Sequence, residues 1–354
     1  MIAAGRPDVM RTRTCPLPRW LLLLGLQSAL IESGVAGPAS LESLYLRCRE
    51  SCAEVLVAGR HAGSAWFADA KGAAVTAAHL FERPDPAVEL LLRDNRRLNA
   101  RLVAVDRGHD LALLQVEAAP GPFKPLPLAR RAPSAGHEIF QFGAPLFRSE
   151  LLQPGRVAAT TSRFEFHALV REYAEVVPVA AVMQGGTSGG PWLNRRGEVV
   201  GVQSSVMSLD DKPVGIAFFA AAPAVRRLLK ERRHASTPTL GLGVDELWQQ
   251  PAEFLARLPK GAQGLVAAVV RAEGPAARAG ITRQDLLISA DGQPLIRIAD
   301  LPRFVRRHQP SDTIELTFLR PGETSTRSVS VGLGCAEEVG ASGPDSDADK
   351  KGQP

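Results

Sequence analysis

Between residue 50 and about residue 220, short apolar and β-branched runs alternate with Gly, Pro and Asp: CAEVLVAG, AWFADAKGAAVTAAHLF, AVELLLRD, ARLVAVDRGHDLALLQVE, EIFQFG, GRVAAT, AEVVPVAAV, GEVVGVQSSV and VGIAFFA. Such runs, bounded by turn formers and following one another with few helical stretches, predict an all-β barrel or sandwich. One helical pattern, APAVRRLLKERRH, has apolar and basic faces at helical spacing and ends a first domain near His234. ASTPT, residues 235–239, reads as a linker. From Leu240 the pattern changes to a mixture. LGLGVDELW is followed by a helical QPAEFLARL, the strand GLVAAVVR, the small-residue turn EGPAARAG, the hairpin DLLISADGQPL around Asp291-Gly292, the helix ADLPRFVRRH, and the strand pair DTIELTFLR and TSTRSVSVG. Residues 240–333 are therefore expected to form a small α+β module. The last stretch, 334–354, has almost nothing to bury and is expected to be disordered.

The N-terminal pattern differs from both. Arginines precede Trp20 to Ile31, WLLLLGLQSALI, an apolar stretch shorter than the roughly 20 residues a membrane-spanning helix needs. With Glu32 ending it and the small residues Gly34, Val35 and Ala36 after it, residues 1–37 read as a signal peptide cleaved after Ala36, with Met10 as an alternative start. An uncleaved anchor and an organelle presequence are the other readings; the first would be the only source of membrane attachment. The expectation is export to the periplasm. Removing that segment takes away Arg6, Arg11, Arg13 and Arg19 against Asp8 and Glu32, so the net charge of +5 falls by two to +3. A balance so small and scattered gives no footing for nucleic acid. The densest basic run, Arg226 to Arg233, lies at a helix end, where cations favour the dipole.

Cysteine use adds little chemistry. Cys48, Cys52 and Cys335 would remain after processing, an odd count that leaves at least one thiol unpaired within the chain. Cys48 and Cys52 lie too far apart to bridge on one strand, about 13 Å, but close enough on a helix. Neither a C-x2-C pair nor an H-E-x-x-H motif is present, so no metal and no cofactor are expected.

The chemistry concentrates at QGGTSGGPW, residues 184–192. A serine hydroxyl is a poor nucleophile until a neutral imidazole takes its proton and a carboxylate orients that imidazole. His79 follows the apolar strand AAVTAA, which lets its ring project into a cleft, and Asp110 opens the buried strand LALLQV, where an unpaired carboxylate is costly. Glycines around Ser188 let the backbone approach a substrate, with the N–H groups of Gly186 and Ser188 as oxyanion donors. A phosphate loop is excluded because no lysine follows the glycines. GTSGG also satisfies the nucleophile-elbow pattern, but that motif needs a helix after the serine, whereas PWLNRRGEVVGVQSS continues as strand, turn and strand.

VTAAHL, DLALLQV, GGTSGGPWLNRRGEVVGV and VGIAFF together resemble the trypsin-like domain of the HtrA (Deg) serine proteases, and LGLGV, GPAARAGITRQDLLISADGQPL and DTIELTFLRPGE resemble the PDZ domain that follows it. The resemblance covers about residues 45–332. It implies a mostly β chain: a two-barrel, trypsin/chymotrypsin-like protease domain over 38–234 and a PDZ domain over 240–333. It implies His79 as general base, Asp110 as orienting acid and Ser188 as nucleophile. The primary pocket would be walled by Val182, Met183, Ile216, Ala217 and Phe218, all apolar, favouring small aliphatic residues before the cut. The PDZ groove would catch a peptide C-terminus on the backbone of Gly241, Leu242, Gly243 and Val244, with the helix Asp300 to His308 as its other wall. The implied protein is a cofactor-free, ATP-independent endopeptidase of unfolded or mislocalised polypeptides, assembled as a homotrimer. A non-catalytic scaffold or holdase, and a processing protease with one target, are the rival readings. The family usually writes Asn-Pro-Gly-Asn before its serine. Here Gln184, Gly185, Gly186 and Thr187 stand there, and the extra backbone freedom at Gly185 predicts a resting loop that substrate or a PDZ ligand must order.

Overall fold

Residues 111–116, LALLQV, show why the first apolar runs become a barrel. As strand β6 (Leu111–Val116) they turn Ala112 and Leu114 into one core and Leu111 and Leu113 into another, so both faces are buried and the run is almost continuously apolar. The first core fills a closed barrel of β1 (Cys52–Val57), β2 (Arg60–Phe67), β3 (Ala73–Thr76), β4 (Val88–Leu91), β5 (Arg97–Asp106) and β6, in the order β1-β2-β3-β6-β5-β4. The structure is a computed structural model and describes residues 40–81, 86–118, 121–167, 170–209 and 212–339. Residues 1–37, expected to form a signal peptide, lie outside these residues. Among them no helix is long and apolar enough to cross a membrane.

The second barrel is built from β7 (Glu138–Gly143), β8 (Leu151–Val157), β9 (Arg163–His167), β10 (Glu172–Ala180), β11 (Pro191–Leu193), β12 (Val199–Leu209) and β13 (Lys212–Ala221). Its order is β13-β12-β11-β7-β8-β10-β9, and β13 also pairs β10, which closes a ring and leaves β9 outside it. The register shows how: Val177–Ala180 of β10 pair with β13, while Glu172–Val176 pair with β9 and run out of the barrel as a hairpin. Trp192, Phe219, Met183 and Val179 fill this barrel. The second face of β6, with Trp66, Val75, Phe140, Phe142, Leu193 and Val202, forms the core between the barrels. Two helices seal that core. In α1 (Leu41–Ser51), capped by Ser40, Leu44 and Cys48 face inward; in α2 (Ala222–Glu231), Val225 and Leu228 do. Cys48 and Cys52 meet at the α1–β1 junction as buried free thiols.

The C-terminal module carries β15 (Leu242–Glu246), β16 (Leu265–Val270), β17 (Leu286–Ala290), β19 (Thr313–Leu319) and β20 (Arg327–Gly332) in one sheet, with β18 (Gln293–Pro294) paired to β17. Three short helices pack beside it: α3 (Ala252–Leu255), α4 (Pro275–Arg278) and α5 (Asp300–Val305). Helix α5 stops at Val305, short of His308: Arg306 N still donates to Pro302 O in the α-helical pattern, and 3₁₀-type bonds from Arg307 and His308 follow.

Two expectations need correcting. Residues 334–339 are ordered: β21 (Gly334–Cys335) pairs with β14 (Pro238–Thr239), and α6 (Ala336–Val339) follows. The reason is Glu337, whose carboxylate accepts from Thr237 N at 2.8 Å, Thr237 Oγ1 at 2.8 Å and Arg107 N at 3.1 Å. The linker at 235–239 is likewise built in, with Thr237 and Thr239 buried and Ala235 N donating to Val105 O. Composition alone missed this because a single charged side chain, rather than an apolar run, carries the order.

Candidate functional site

Ala78 to Leu80 form one 3₁₀ turn at the end of β3, and Arg107 to His109 form another between β5 and β6. The second turn ends at Asp110 in the left-handed region, φ 54°, which swings its carboxylate back to the first. Asp110 Oδ1 accepts from His79 N at 2.8 Å, and Oδ2 lies 2.8 Å from His79 Nδ1. Ser204 Oγ donates to the same Oδ2 at 2.5 Å. The two side chains are only 7% and 2% exposed. Burial by itself raises the pKa of Asp110, but the charge and hydrogen bond of His79, with His167 and Ser204, outweigh it and hold the carboxyl well below the usual range. The ionised carboxylate therefore fixes a proton on Nδ1 and leaves Nε2 as the lone-pair nitrogen.

Ser188 lies in a loop whose backbone is held from three sides. Leu146 N donates to Gly185 O at 2.8 Å, Ser64 Oγ to Gly186 O at 2.8 Å, and Ser64 N to Ser188 O at 2.8 Å. Thr187 folds back on Gln184 O through both its N–H and its hydroxyl. At Gly189, φ +84°, a Cβ would stand 2.1 Å from Thr76 Oγ1 and 2.2 Å from Ser64 O, so only glycine permits this approach. Gly186, φ +95°, is equally hemmed, 2.2 Å from Ala144 O. Gly185 meets nothing within 4 Å and has no left-handed φ, so its freedom is not required by the fold. Among the described residues no hydrogen bond engages the N–H of Gly186 or of Ser188, and none joins Ser188 Oγ to His79.

A further histidine, not singled out in the sequence, stands against this pair. His167, the last residue of β9, stacks on His79 with ring centroids 4.5 Å apart and 29° between planes. Burial pushes its pKa down to about 4; the neighbouring His79 adds to this and Asp110 opposes it. Among the described residues its Nδ1 is buried without a hydrogen-bond partner.

The residues expected to wall the primary pocket are not brought together. Met183 and Ala217 are buried in the second-barrel core, whereas Ile216 and Phe218 point the other way along β13 and pack on Ala174 and Val176 of the hairpin; Val182 is exposed. Period-2 alternation on β13 forbids the three consecutive residues from sharing one wall.

The expected peptide-binding stretch splits similarly. Gly241 N donates to Thr239 Oγ1, while Leu242, Gly243 and Val244 belong to edge strand β15. The outer N–H of Val244 donates to the hydroxyl of Tyr173, 3.0 Å away. Tyr173 comes from the β9–β10 hairpin and is buried with Leu240, Leu242 and Val305. Phe166 covers Gly243, and Arg306, beyond α5, donates to Tyr173 O at 2.6 Å. The groove between β15 and α5 thus holds a segment of the same chain. Glu172 lies buried beside it with its pKa raised by burial, opposed by Thr239, Arg306 and its other polar neighbours.

Residues 63–202 match the trypsin-like peptidase domain family and residues 238–331 the PDZ domain family. The chain is 31% identical over 284 residues to a probable periplasmic serine endoprotease DegP-like of Pseudomonas fulva, covering 78% of this chain and 57% of that protein. It thus spans a little over half the length of the curated relatives it matches. Among solved structures, the HtrA-type protease AlgW with a decapeptide superposes with a TM-score of 0.57 at 22% identity, covering 84% of this chain and 99% of that one. The serine endoprotease from Yersinia pestis gives 0.53 at 21%, covering 84% and 99%. With a peptidase domain match directly followed by a PDZ domain match on two barrels and an α+β module, the chain joins a trypsin-like peptidase domain to a PDZ domain.

Proposed function

We propose that the chain is a serine endopeptidase acting on exported, unfolded or mislocalised polypeptides. The observation that carries this reading is the buried Asp110–His79 pair, with Nδ1 of His79 claimed by a carboxylate that Ser204 also binds. In that arrangement Nε2 takes the proton of the Ser188 hydroxyl as Oγ attacks the scissile carbonyl, Asp110 stabilises the imidazolium, and the uncommitted N–H groups of Gly186 and Ser188 receive the oxyanion. Return of the proton to the leaving amine gives the acyl-enzyme, and a water activated by the same nitrogen releases it.

The PDZ module recruits C-terminal segments to β15. Because Tyr173 already satisfies Val244 N, an arriving peptide takes the place of the hairpin and so acts on His167 and the site behind it. The DegP-like relatives are described as periplasmic, and the apolar N-terminal segment of this chain supports the same compartment.

The test is cleavage of reduced, unfolded casein by residues 38–354 and by Ser188→Ala, with and without a C-terminal peptide. Loss of a triad nucleophile lowers turnover by about 10⁶, so fragments from the parent alone establish the activity. No fragments from either protein, with peptide present, would replace the peptidase with a binding scaffold.

A further inference from the structure

His79 and His167 are 88 positions apart in sequence, yet the ligating atoms of His79, Asp110 and His167 all lie within 4.8 Å of one another. No spacing motif announces this cluster, because the β9–β10 hairpin delivers one member and the first barrel the other two. Its parts resemble a metal centre in three respects. First, the Nδ1–H of His79 is held by a buried carboxylate, the outer-shell arrangement that orients an imidazole and leaves Nε2 directed at a metal. Second, His167 is 91% buried and, among the described residues, its Nδ1 has no hydrogen-bond partner, a cost in a folded protein that a further partner would relieve. Third, a tetrahedral zinc ion with two imidazole bonds holds their nitrogens about 3.3 Å apart, and the candidate ligand atoms here already lie within 4.8 Å of one another. Asp110 is already committed to His79 N, His79 Nδ1 and Ser204, so it serves as the outer partner.

We propose that His79 and His167 form an inhibitory site for a borderline transition-metal ion, Zn²⁺ above all, with water completing its coordination. The ion takes the Nε2 lone pair of His79, which is the pair that would accept the Ser188 proton, so binding silences the peptidase and a chelator restores it. This rests on the peptidase reading for its consequence, though not for the binding itself. Hard cations such as Mg²⁺ prefer oxygen ligands and leave the site alone.

The experiment is calorimetric titration of ZnCl2 into residues 38–354 carrying Ser188→Ala, beside the same chain with His167→Phe, which keeps a ring against His79 but no nitrogen. His167→Gln replaces it if phenylalanine disturbs the hairpin by circular dichroism. The expected result is one Zn²⁺ site weakened about 100-fold by loss of the His167 ligand, with Co²⁺ in the same site giving imidazole-type absorption and no thiolate charge-transfer band. In the Ser188 chain, casein cleavage falls with Zn²⁺ over the range of the titration, is untouched by MgCl2, and returns with EDTA. Equal Zn²⁺ affinity in the His167 variants, a thiolate band assigning the ion to Cys48 and Cys52, or equal inhibition by Mg²⁺ would each overturn the proposal. Casein left uncut in every condition would remove the peptidase reading while the titration still decided the metal site.

Discussion

In the first barrel every strand pairs only with its neighbours and the ring closes between β1 and β4, whereas in the second β10 belongs to the ring at one end and to a projecting hairpin at the other. The candidate site straddles this difference. His79 and Asp110 sit on two short turns at the rim of the closed barrel, tied to each other and buried. Ser188 sits on a loop of the second barrel, whose hairpin sends His167 to the site and Tyr173 to the PDZ groove. The first barrel supplies a buried His79–Asp110 pair, and the second supplies the loop of Ser188 and a hairpin shared between that pair and the groove.

The sharpest way to break the buried pair is Asp110→Asn. The amide cannot hold the proton on Nδ1, so kcat for casein should fall by about 10⁴ while thermal unfolding stays cooperative; activity within tenfold of the parent would show that the carboxylate does not set the tautomer. The hairpin has a pH signature. A histidine with a folded pKa of about 4, below its ordinary 6.5, binds a proton on release, so docking of the hairpin is most stable above pH 6.5 and weakens as the pH falls towards 4. Integrated over that window the change is about 3 kcal/mol, read as faster amide exchange across residues 163–176. Flat exchange over the window, or the same dependence in His167→Gln, would contradict it. The smallest effect is expected from Tyr173→Phe. Losing one hydrogen bond to Val244 N, about 1 kcal/mol, should leave the groove about fivefold tighter for a C-terminal peptide in fluorescence anisotropy. Unchanged or weaker binding would mean that the hydroxyl does not compete with ligand.

The same contrast explains what could be read from the chain. Strands such as LALLQV, the meeting of His79 with Asp110 and the tight glycine loop around Ser188 were legible because each is marked locally, by an apolar run or a run of glycines. Ser204, which steadies Asp110, carries no mark inside GVQSSV, and it matters only because β12 brings it beneath the carboxylate. The bracing turn Pro145–Phe147 was hidden for another reason: Leu146 and Phe147 have φ of 51° and 57°, where glycine or asparagine would have announced a turn. His167 and Tyr173 were not singled out, because their partners lie on another barrel and another domain. Glu337 was written off with the polar tail, although its three hydrogen bonds fasten that tail to the peptidase unit.

The central claim is that Ser188 is the activated nucleophile of a working site. Its most direct measurement is labelling of residues 38–354 by a fluorophosphonate probe, with the adduct located by mass spectrometry, in the presence and absence of a C-terminal peptide. The account requires one adduct per chain, on Ser188, abolished in His79→Ala and faster when peptide draws the hairpin away. No adduct on Ser188 under either condition, or equal labelling after His79→Ala, would contradict it.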